Sequence, residues 1–255
     1  MTQAERRSFL ITYLLNERGE SANIPIDEYN QKRILRSLFN IRMPKAVTPD
    51  FLQIQDEYLQ EENRRKGITD IADLEPAQDH IYLWQGDITT LKCDAIVNAA
   101  NSQMLGCFNP CHGCIDNAIH TFAGLQLRNT CNEIMQKQGH SEPTGQSKIT
   151  PAYNLPCKYV IHTVGPIVSG TLTDEDCELL KSCYLSCLQI AVEKGLKSIA
   201  FCCISTGVFG FPQFEAAQIA VSTVKEFQKH HEIEVIFNVF KDSDKQIYRE
   251  LLSAD

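Results

Sequence analysis

From residue 80 onward the sequence predicts an α/β fold, with a mostly parallel sheet covered on both faces by helices. Short apolar runs of strand length alternate with longer segments of helical periodicity in this part of the chain. Strands that alternate with helices are typical of parallel sheets that are buried on both sides. The unusual polar motifs follow directly after the apolar runs. Because ligands of such sheets bind at the carboxyl ends of the strands, these motifs predict one ligand site at that edge.

Six apolar runs are the predicted strands, and four helices are predicted between and after them. The strands are Ile81–Gln85, Ala95–Ala99, Lys148–Ala152, Tyr159–Val164, Ser198–Ile204 and Glu234–Phe240. The helices are Ile115–Lys137, Glu175–Lys194, Phe214–His230 and Lys245–Leu252. The second of these helices carries one apolar stripe, which predicts a face that packs on the sheet.

The first 75 residues predict a helical N-terminal extension, and residues 76–255 predict the main domain. Apolar residues recur at helical spacing in three segments, and the third opens with Thr48 as a helix cap followed by Pro49. The polar segment from Glu61 to Pro76, which contains Gly67, is the predicted boundary. No cluster of metal-binding or nucleophilic residues stands out in the extension, so its expected role is to pack against the main domain.

Composition excludes some classes of function and predicts a setting. The 255 residues carry a formal net charge of −8, which argues against binding nucleic acid by neutralising its phosphates. The 11 cysteines lie mostly within apolar runs, where a free thiol behaves as a small hydrophobic group. Neither a signal segment nor an apolar run long enough to span a membrane is recognisable. We therefore expect a cytoplasmic protein with reduced cysteines, and no membrane or nucleic-acid partner.

The stretch from Gly106 to Gly124, GCFNPCHGCIDNAIHTFAG, predicts a metal site. Thiolates and imidazoles are the ligands that Zn²⁺ favours, and a catalytic site leaves one coordination position open. Because Cys111 and His112 are adjacent and point apart in an extended loop, the predicted ligands are Cys107, His112 and Cys114. A closed structural site that also uses Cys111, and a thiol cluster without metal, stay open as alternatives.

Three further loops follow predicted strands and carry polar or glycine-rich motifs. They are Gly86–Thr89 (GDIT), Asn98–Asn101 (NAAN) and Ser205–Pro212 (STGVFGFP). The last loop has two glycines before a helix, so its backbone N–H groups could cradle a phosphate. A lysine in the Walker position is missing, which excludes a nucleotide-hydrolysing P-loop. An ordinary strand-to-helix connection is the alternative interpretation.

The four motifs GDIT, NAAN, AIHTFAG and STGVFGFP, in this order, resemble those of a macrodomain, the module that binds ADP-ribose. The resemblance covers the chain from His80 to the C-terminus and implies a three-layer α/β/α fold with a mixed six-stranded sheet. Many macrodomains have a run of glycines after NAAN, where this sequence has GCFNPCHGC. That departure resembles the zinc-containing branch of microbial macrodomains, which are protein-ADP-ribose hydrolases with a helical N-terminal extension.

The resemblance implies a role for individual residues. Asp87 would accept a hydrogen bond from the adenine amino group beside the Ile88 amide, and Phe240 would stack on adenine; a turn aspartate and a core phenylalanine are the alternatives. Asn101 would contact the distal ribose. The diphosphate would be held by backbone N–H groups of Ser205, Thr206, Gly207, Val208 and Phe209.

The implied activity is zinc-dependent hydrolysis of an ADP-ribosyl linkage, glycosidic or ester, that removes mono-ADP-ribose from a protein side chain. One Zn²⁺ per chain would activate water or polarise an oxygen. Asp116, with Asn101 beside the ribose, would orient the water or hold the ribose. The alternative is that Asp116 is only an acidic residue at the start of a helix, where the helix dipole favours a negative charge. Because carboxylate is a good leaving group, an ester to Asp or Glu is the expected target.

Partners and competing functions are also implied. Similar proteins are associated with a lipoyl-carrier protein modified by a sirtuin-type ADP-ribosyltransferase, which makes such a carrier the expected substrate. One alternative function is a non-catalytic ADP-ribose-binding module with a structural zinc. Another is a redox or metal sensor in which Cys107 and Cys111 form a disulfide.

Overall fold

A computed structural model describes residues 1–21 and 23–253; residues 22, 254 and 255, which the predicted domains include, lie outside the described part. The described residues form eight α-helices, eight strands and two short 3₁₀ turns. The helices are α1 (Gln3–Glu17), α2 (Glu28–Ile41), α3 (Pro49–Lys66), α4 (Ile115–Ala123), α5 (Leu125–Gln138), α6 (Asp174–Glu193), α7 (Gln213–Gln228) and α8 (Asp242–Ser253). The strands are β1 (Thr69–Asp70), β2 (Ile81–Gln85), β3 (Leu91–Lys92), β4 (Ala95–Ala100), β5 (Ser147–Pro151), β6 (Tyr159–Val164), β7 (Ser198–Phe201) and β8 (Glu234–Val239).

The main sheet has six strands in the order β2-β8-β7-β4-β6-β5, so the predicted mixed six-stranded sheet is confirmed. Neighbouring strands are parallel except at one edge, where β5 runs antiparallel to β6. Apolar side chains of the sheet and of α4 to α8 form one buried core. β1 and β3 form a separate two-residue parallel pair that the sequence did not predict, because two residues are too few for a pattern.

Most predicted elements are present with ends shifted by up to three residues, and two of the differences matter for the site. The predicted helix Ile115–Lys137 is two helices, α4 and α5, which meet at Gly124. Gly124 has a φ of +98°, and a Cβ there would lie 2.7 Å from Nε2 of Gln55 in α3. The positive φ favours glycine at this turn, and Gln55 of α3 contacts it by accepting a hydrogen bond from the Leu125 N–H at 2.9 Å. The predicted strand Ser198–Ile204 ends at Phe201, after which the chain turns toward the glycine-rich loop.

The three N-terminal helices share a second hydrophobic cluster. It includes Leu10 and Ile11 of α1, Phe39 of α2 and Phe51 of α3, and Leu125 of α5 joins it from the main domain. The Thr48 cap is confirmed, because its hydroxyl accepts a hydrogen bond from the Phe51 N–H at 3.3 Å. The extension thus has its own small core that is continuous with α5, while the division into domains at residue 75 stays a prediction.

A membrane-spanning helix would need a long apolar segment. None of the helices in the described ranges is both long and apolar enough to cross a membrane.

Candidate active site

The strand order arranges the predicted site residues in a line along one edge of the sheet. Asp87 follows β2, Phe240 follows β8, the Ser205 loop follows β7 and Asn101 follows β4. These four strands are consecutive neighbours in the sheet. Neighbouring strands lie about 4.8 Å apart, so the line spans about 14 Å from β2 to β4. The sequence scatters these motifs over more than 150 positions, and the parallel sheet brings them to one edge.

Asp87 lies at one end of this line and is held from two sides. Its Oδ1 accepts hydrogen bonds from the Thr89 N–H at 3.0 Å and the Thr89 hydroxyl at 2.6 Å. Its Oδ2 accepts from Nζ of Lys66 in α3 at 3.0 Å. Burial alone would raise the pKa of Asp87, but the Lys66 charge and the Thr89 hydrogen bonds hold it below its usual value. An ionised carboxylate has about four acceptor positions, so Oδ2 keeps one for a ligand. Ile88, the next residue, is buried in the turn.

Phe240 directly follows β8, the strand next to β2 in the sheet. Its side chain is 77% exposed, so the structure does not place it in the core. The next residues along the line belong to the glycine-rich loop. Within the described chain, the N–H groups of Gly207, Val208 and Phe209 donate to no protein acceptor, which leaves them free for an anion.

The loop begins with an unusual backbone conformation. Ser205 is buried and has a φ of +64°, although it is not a glycine. The Ser205 carbonyl accepts a hydrogen bond from the Phe211 N–H at 3.0 Å, which closes the loop. Gly165, which follows β6, packs against this turn so tightly that a Cβ there would lie 2.1 Å from the Ser205 hydroxyl oxygen. Gly165 was not singled out from the sequence, because only the fold brings it to Ser205.

Asn101 and Asp116 lie at the other end of the line and contact each other. The Asn101 Nδ2 donates to the Asp116 Oδ2 at 3.4 Å and to the Gly106 carbonyl at 3.2 Å. Asp116 Oδ1 accepts from Nδ2 of Asn98 at 2.8 Å. Burial raises the pKa of Asp116 to about 6. Two asparagines therefore hold a buried carboxyl group at the point where the metal loop, residues 106–114, begins and ends.

The three predicted metal ligands converge. One ligand atom each from Cys107, His112 and Cys114 lies within 4.8 Å of the other two. The Cys107 Sγ and His112 Nδ1 are 3.7 Å apart. In a tetrahedral zinc site, sulfur and nitrogen ligands lie about 3.5 Å apart, so this spacing fits one ion between them. Two thiols and an imidazole are the donors that zinc prefers, so the residues fit this metal.

Cys114 is also the N-cap of α4, where its Sγ accepts a hydrogen bond from the Asn117 N–H at 3.4 Å. Burial raises the pKa of the Cys114 thiol to about 11, and the Asn117 N–H opposes that shift. The start of a helix favours a negatively charged group. The start of α4, which Cys114 caps, therefore offsets part of the cost that burial places on the thiolate.

Cys111 points away from this group. Its φ is +54°, a left-handed conformation, and its Sγ donates to the carbonyl of Arg33 in α2 at 3.3 Å. The sequence left open whether Cys111 completes a four-ligand site. Its side chain is engaged with the N-terminal extension instead, and the group that converges contains three protein ligands.

A second group of possible ligands, His120, Cys131 and His162, lies buried beneath the site. His162 Nδ1 faces Nδ2 of Asn98 at 3.1 Å, and its Nε2 lies 3.0 Å from the Thr150 hydroxyl. Since an amide nitrogen can only donate, Nδ1 is the acceptor and Nε2 carries the proton. A protonated nitrogen cannot bind a metal, so His162 is a hydrogen-bond partner that supports Asn98.

The structure adds residues of the N-terminal extension to the site, which sequence reasoning missed. Arg36 of α2 donates to the His112 carbonyl at 2.9 Å, and Asn40 of α2 accepts from the Cys111 N–H at 2.9 Å. These residues lie more than 70 positions before their partners in the metal loop, so no local spacing could link them to it. The expectation that the extension only packs against the main domain is therefore incomplete.

Comparisons with known proteins agree with this arrangement. The family model described as Macro domain matches residues 97–220. A protein-ADP-ribose hydrolase of Treponema medium is 59% identical, over 99% of this chain and 100% of that protein. A protein-ADP-ribose hydrolase of Staphylococcus aureus (strain MRSA252) is 48% identical, over 98% of this chain and 96% of that protein. The fold and the motifs at its strand ends thus define an α/β/α ligand-binding domain, and the chain belongs to the macrodomain family.

Solved structures extend the comparison to the fold. A Trypanosoma brucei macrodomain in complex with ADP-ribose superposes with a TM-score of 0.67 at 31% identity, covering 85% of this chain and 94% of that chain. An Oceanobacillus iheyensis macrodomain with ADP gives a TM-score of 0.63 at 40% identity, covering 68% of this chain and 90% of that chain. The predicted fold class is therefore confirmed.

Proposed function

We propose that this protein is a zinc-dependent protein-ADP-ribose hydrolase that removes mono-ADP-ribose from a modified protein side chain. The observation that carries the proposal is the convergence of Cys107, His112 and Cys114 beside Asn101 and Asp116. The relatives named protein-ADP-ribose hydrolase, which match along nearly the whole chain, support the activity. The order of the motifs along the sheet edge supports a ligand that runs from adenine at Asp87 to the distal ribose at Asn101.

ADP-ribose would lie along the line of strand ends. Adenine would lie between Asp87 and Phe240, with its amino group donating to the free position of the Asp87 carboxylate. The diphosphate would accept hydrogen bonds from the free N–H groups of the loop that follows β7, which fits a chain of net charge −8 because backbone donors need no lysines. The distal ribose would then reach Asn101 and the metal loop.

The metal would be one Zn²⁺ per chain, held by Cys107, His112 and Cys114. When bound, zinc supplies Lewis-acid chemistry at the ribose end of the ligand. Asn98 and Asn101 fix the Asp116 carboxyl group, which accepts a hydrogen bond from the attacking water or from a ribose hydroxyl. The burial of Asp116 excludes bulk water, which strengthens that hydrogen bond.

The reaction is a hydrolysis in which water is the second substrate. The bond between the ribose and the side-chain oxygen is replaced, so that ADP-ribose gains a hydroxyl group and the protein regains a carboxylic acid. An ester to Asp or Glu is the proposed linkage because carboxylate leaves readily. A lipoyl-carrier protein modified by a sirtuin-type ADP-ribosyltransferase is the proposed substrate, on the family resemblance alone.

The competing function is an ADP-ribose-binding module with a closed structural zinc. A closed site needs about four protein ligands, and the fourth candidate ligand of the loop, Cys111, contacts the Arg33 carbonyl instead. This contact favours the hydrolase.

The experiment is a turnover assay on protein that carries mono-ADP-ribose on glutamate. We expect the purified protein to release ADP-ribose, chelation to stop release, and added Zn²⁺ to restore it. Binding of free ADP-ribose to the chelated protein, measured by calorimetry, serves as the control for an intact cleft. Undiminished release by metal-free protein would contradict the zinc mechanism, and zinc-loaded protein that binds ADP-ribose without turnover would favour the binding module.

A further inference from the structure

The metal loop has little hydrogen bonding of its own. Its internal turn is closed by the His112 N–H, which donates to the Asn109 carbonyl at 3.2 Å. Cys111, next to His112, has a left-handed backbone conformation, which is unfavourable for residues other than glycine. A loop of this kind, left to itself, would sample many conformations, and its three ligands would rarely converge. Something outside the loop must therefore fix it.

Arg36 of α2 contacts both the metal loop and α4, the helix that follows it. Its Nε and one terminal nitrogen donate to the Asn117 Oδ1 at 3.0 and 2.7 Å. The same terminal nitrogen donates to the His112 carbonyl at 2.9 Å. A guanidinium group donates in a rigid fork, so these bonds fix the direction of its partners as well as their distance.

Asn117, which Arg36 holds, is hydrogen-bonded to the other two predicted ligand residues, Cys107 and Cys114. Its Nδ2 donates to the Asn109 carbonyl at 3.0 Å and to the Cys107 carbonyl at 3.5 Å. Its backbone N–H donates to the Cys114 Sγ at 3.4 Å. Through Arg36 and Asn117, α2 is therefore hydrogen-bonded, directly or through one residue, to all three predicted ligand residues.

Asn40, one turn further along α2, supports the strained part of the loop. Its Oδ1 accepts a hydrogen bond from the Cys111 N–H at 2.9 Å, and its Nδ2 donates to the Thr121 hydroxyl of α4 at 3.0 Å. Asn40 is 1% exposed, so these bonds are shielded from water. The left-handed turn at Cys111 is thus stabilised by a residue outside the loop.

The helix that carries these residues is itself anchored. Arg128 of α5 donates to the carbonyls of Phe39, Asn40 and Arg42 at the end of α2, at 2.8, 2.9 and 2.6 Å. Its Nε donates to the Leu105 carbonyl, just before the metal loop, at 2.7 Å. α2 therefore has a fixed position relative to the loop.

We propose that Arg36 and Asn40 of the N-terminal extension are positioning residues of the metal site. They hold the metal loop in the conformation in which Cys107, His112 and Cys114 converge. The inference rests on the proposed zinc site and gives the N-terminal extension a role in the chemistry. Residues that orient metal ligands typically change metal affinity about 10- to 100-fold when they are removed.

The test compares zinc affinity in full-length variants, measured by competition with a chromophoric chelator. Arg36→Ala and Asn40→Ala are each expected to weaken zinc binding about 10-fold or more. Arg36→Lys should recover only part of the loss, because an ammonium group cannot donate in the same fork. The matched control is Arg33→Ala, since the Arg33 side chain is exposed over the Tyr29 ring and the substitution keeps the carbonyl that contacts Cys111.

Two further measurements separate positioning from general unfolding. Binding of ADP-ribose to metal-free Arg36→Ala should match the parent, because the proposed adenine and diphosphate positions follow β2, β8 and β7, away from α2. The substitution should also lower the unfolding temperature of the zinc-loaded protein more than that of the metal-free protein, each compared with the parent in the same state. Equal zinc affinity in Arg36→Ala, Asn40→Ala and Arg33→Ala would overturn the inference. If the parent protein itself binds no zinc, the proposed function fails instead.

Discussion

Lys66, the last residue of α3, lies with its Nζ 3.0 Å from the Asp87 Oδ2 and 3.0 Å from the centre of the Phe122 ring. A charge from the N-terminal extension therefore neutralises the carboxylate proposed to bind adenine. Burial lowers the pKa of Lys66, and the Asp87 charge opposes that shift. The pair connects the extension to the adenine end of the cleft, as Arg36 connects it to the metal end.

Replacing Lys66 with methionine should weaken ADP-ribose binding about fivefold, the equivalent of about 1 kcal/mol. Without the ammonium group, the Asp87 carboxylate is held by Thr89 alone and loses its preferred orientation. Calorimetry with metal-free protein measures the effect. Arg65→Ala is the matched control, since Arg65 lies on the same turn and pairs with Glu61 of its own helix. Equal losses in both variants would contradict a specific role for Lys66.

The cysteines of the metal loop should differ sharply in their contribution to metal content. Cys114→Ala should remove the bound zinc and the release of ADP-ribose, because two protein ligands are too few for a stable site. Cys111→Ala should keep one zinc per chain, since its Sγ faces the Arg33 carbonyl and lies outside the converging group. Mass spectrometry of the native protein measures the metal content. Loss of zinc in Cys111→Ala would point to a closed four-ligand site.

Gly165→Ala should disturb the proposed diphosphate loop. A Cβ at this position would lie 2.1 Å from the Ser205 hydroxyl oxygen and 2.8 Å from an Ile204 methyl carbon, so the loop must shift. Forced shifts of this kind typically cost about 1–3 kcal/mol, which predicts about 10-fold weaker ADP-ribose binding.

The control for this variant is Gly113→Ala. A Cβ at Gly113 meets no atom within 4 Å, and its φ is not in the left-handed region. This variant should bind ADP-ribose in metal-free form as the parent does. If Gly165→Ala also binds normally, the loop after β7 does not hold the diphosphate in the way proposed.

Stability should depend on pH through His80, at the start of β2. Its Nδ1 lies 2.7 Å from the Glu234 Oε1 on β8, and this hydrogen bond raises the pKa of His80. A group whose pKa is raised on folding stabilises the protein below its unfolded pKa, which is about 6.5 for histidine. That stability is lost as the pH rises through the raised folded value.

Urea unfolding of the parent and of His80→Asn measures this dependence. Asparagine tolerates the φ of +57° at this position but carries no charge. The parent should exceed the variant in stability by more at pH 5.5 than at pH 8.5. An equal difference at both values would show that the protonated imidazole is not what stabilises the pair.

Several features of this protein follow from the sequence alone. The alternation of apolar runs and helical segments placed β2 and β6 at their observed bounds, because strands and helices are encoded by local periodicity. Cys107, His112 and Cys114, which converge in the structure, were also singled out from the sequence, since donor chemistry and loop spacing are local properties; that they bind zinc stays a prediction. The line of motifs at the strand ends followed from the rule for parallel sheets.

Other features were decided by the tertiary structure. At the break between α4 and α5, the first N–H of α5 donates to Gln55, which lies 69 positions before Gly124 in the chain. The direction of Cys111 depends on the Arg33 carbonyl, and the support of the metal loop depends on Arg36 and Asn40. Such contacts join residues that share no local pattern. They form only when the extension packs on the main domain, so the shape of the proposed metal site is set by packing and its donor chemistry by sequence.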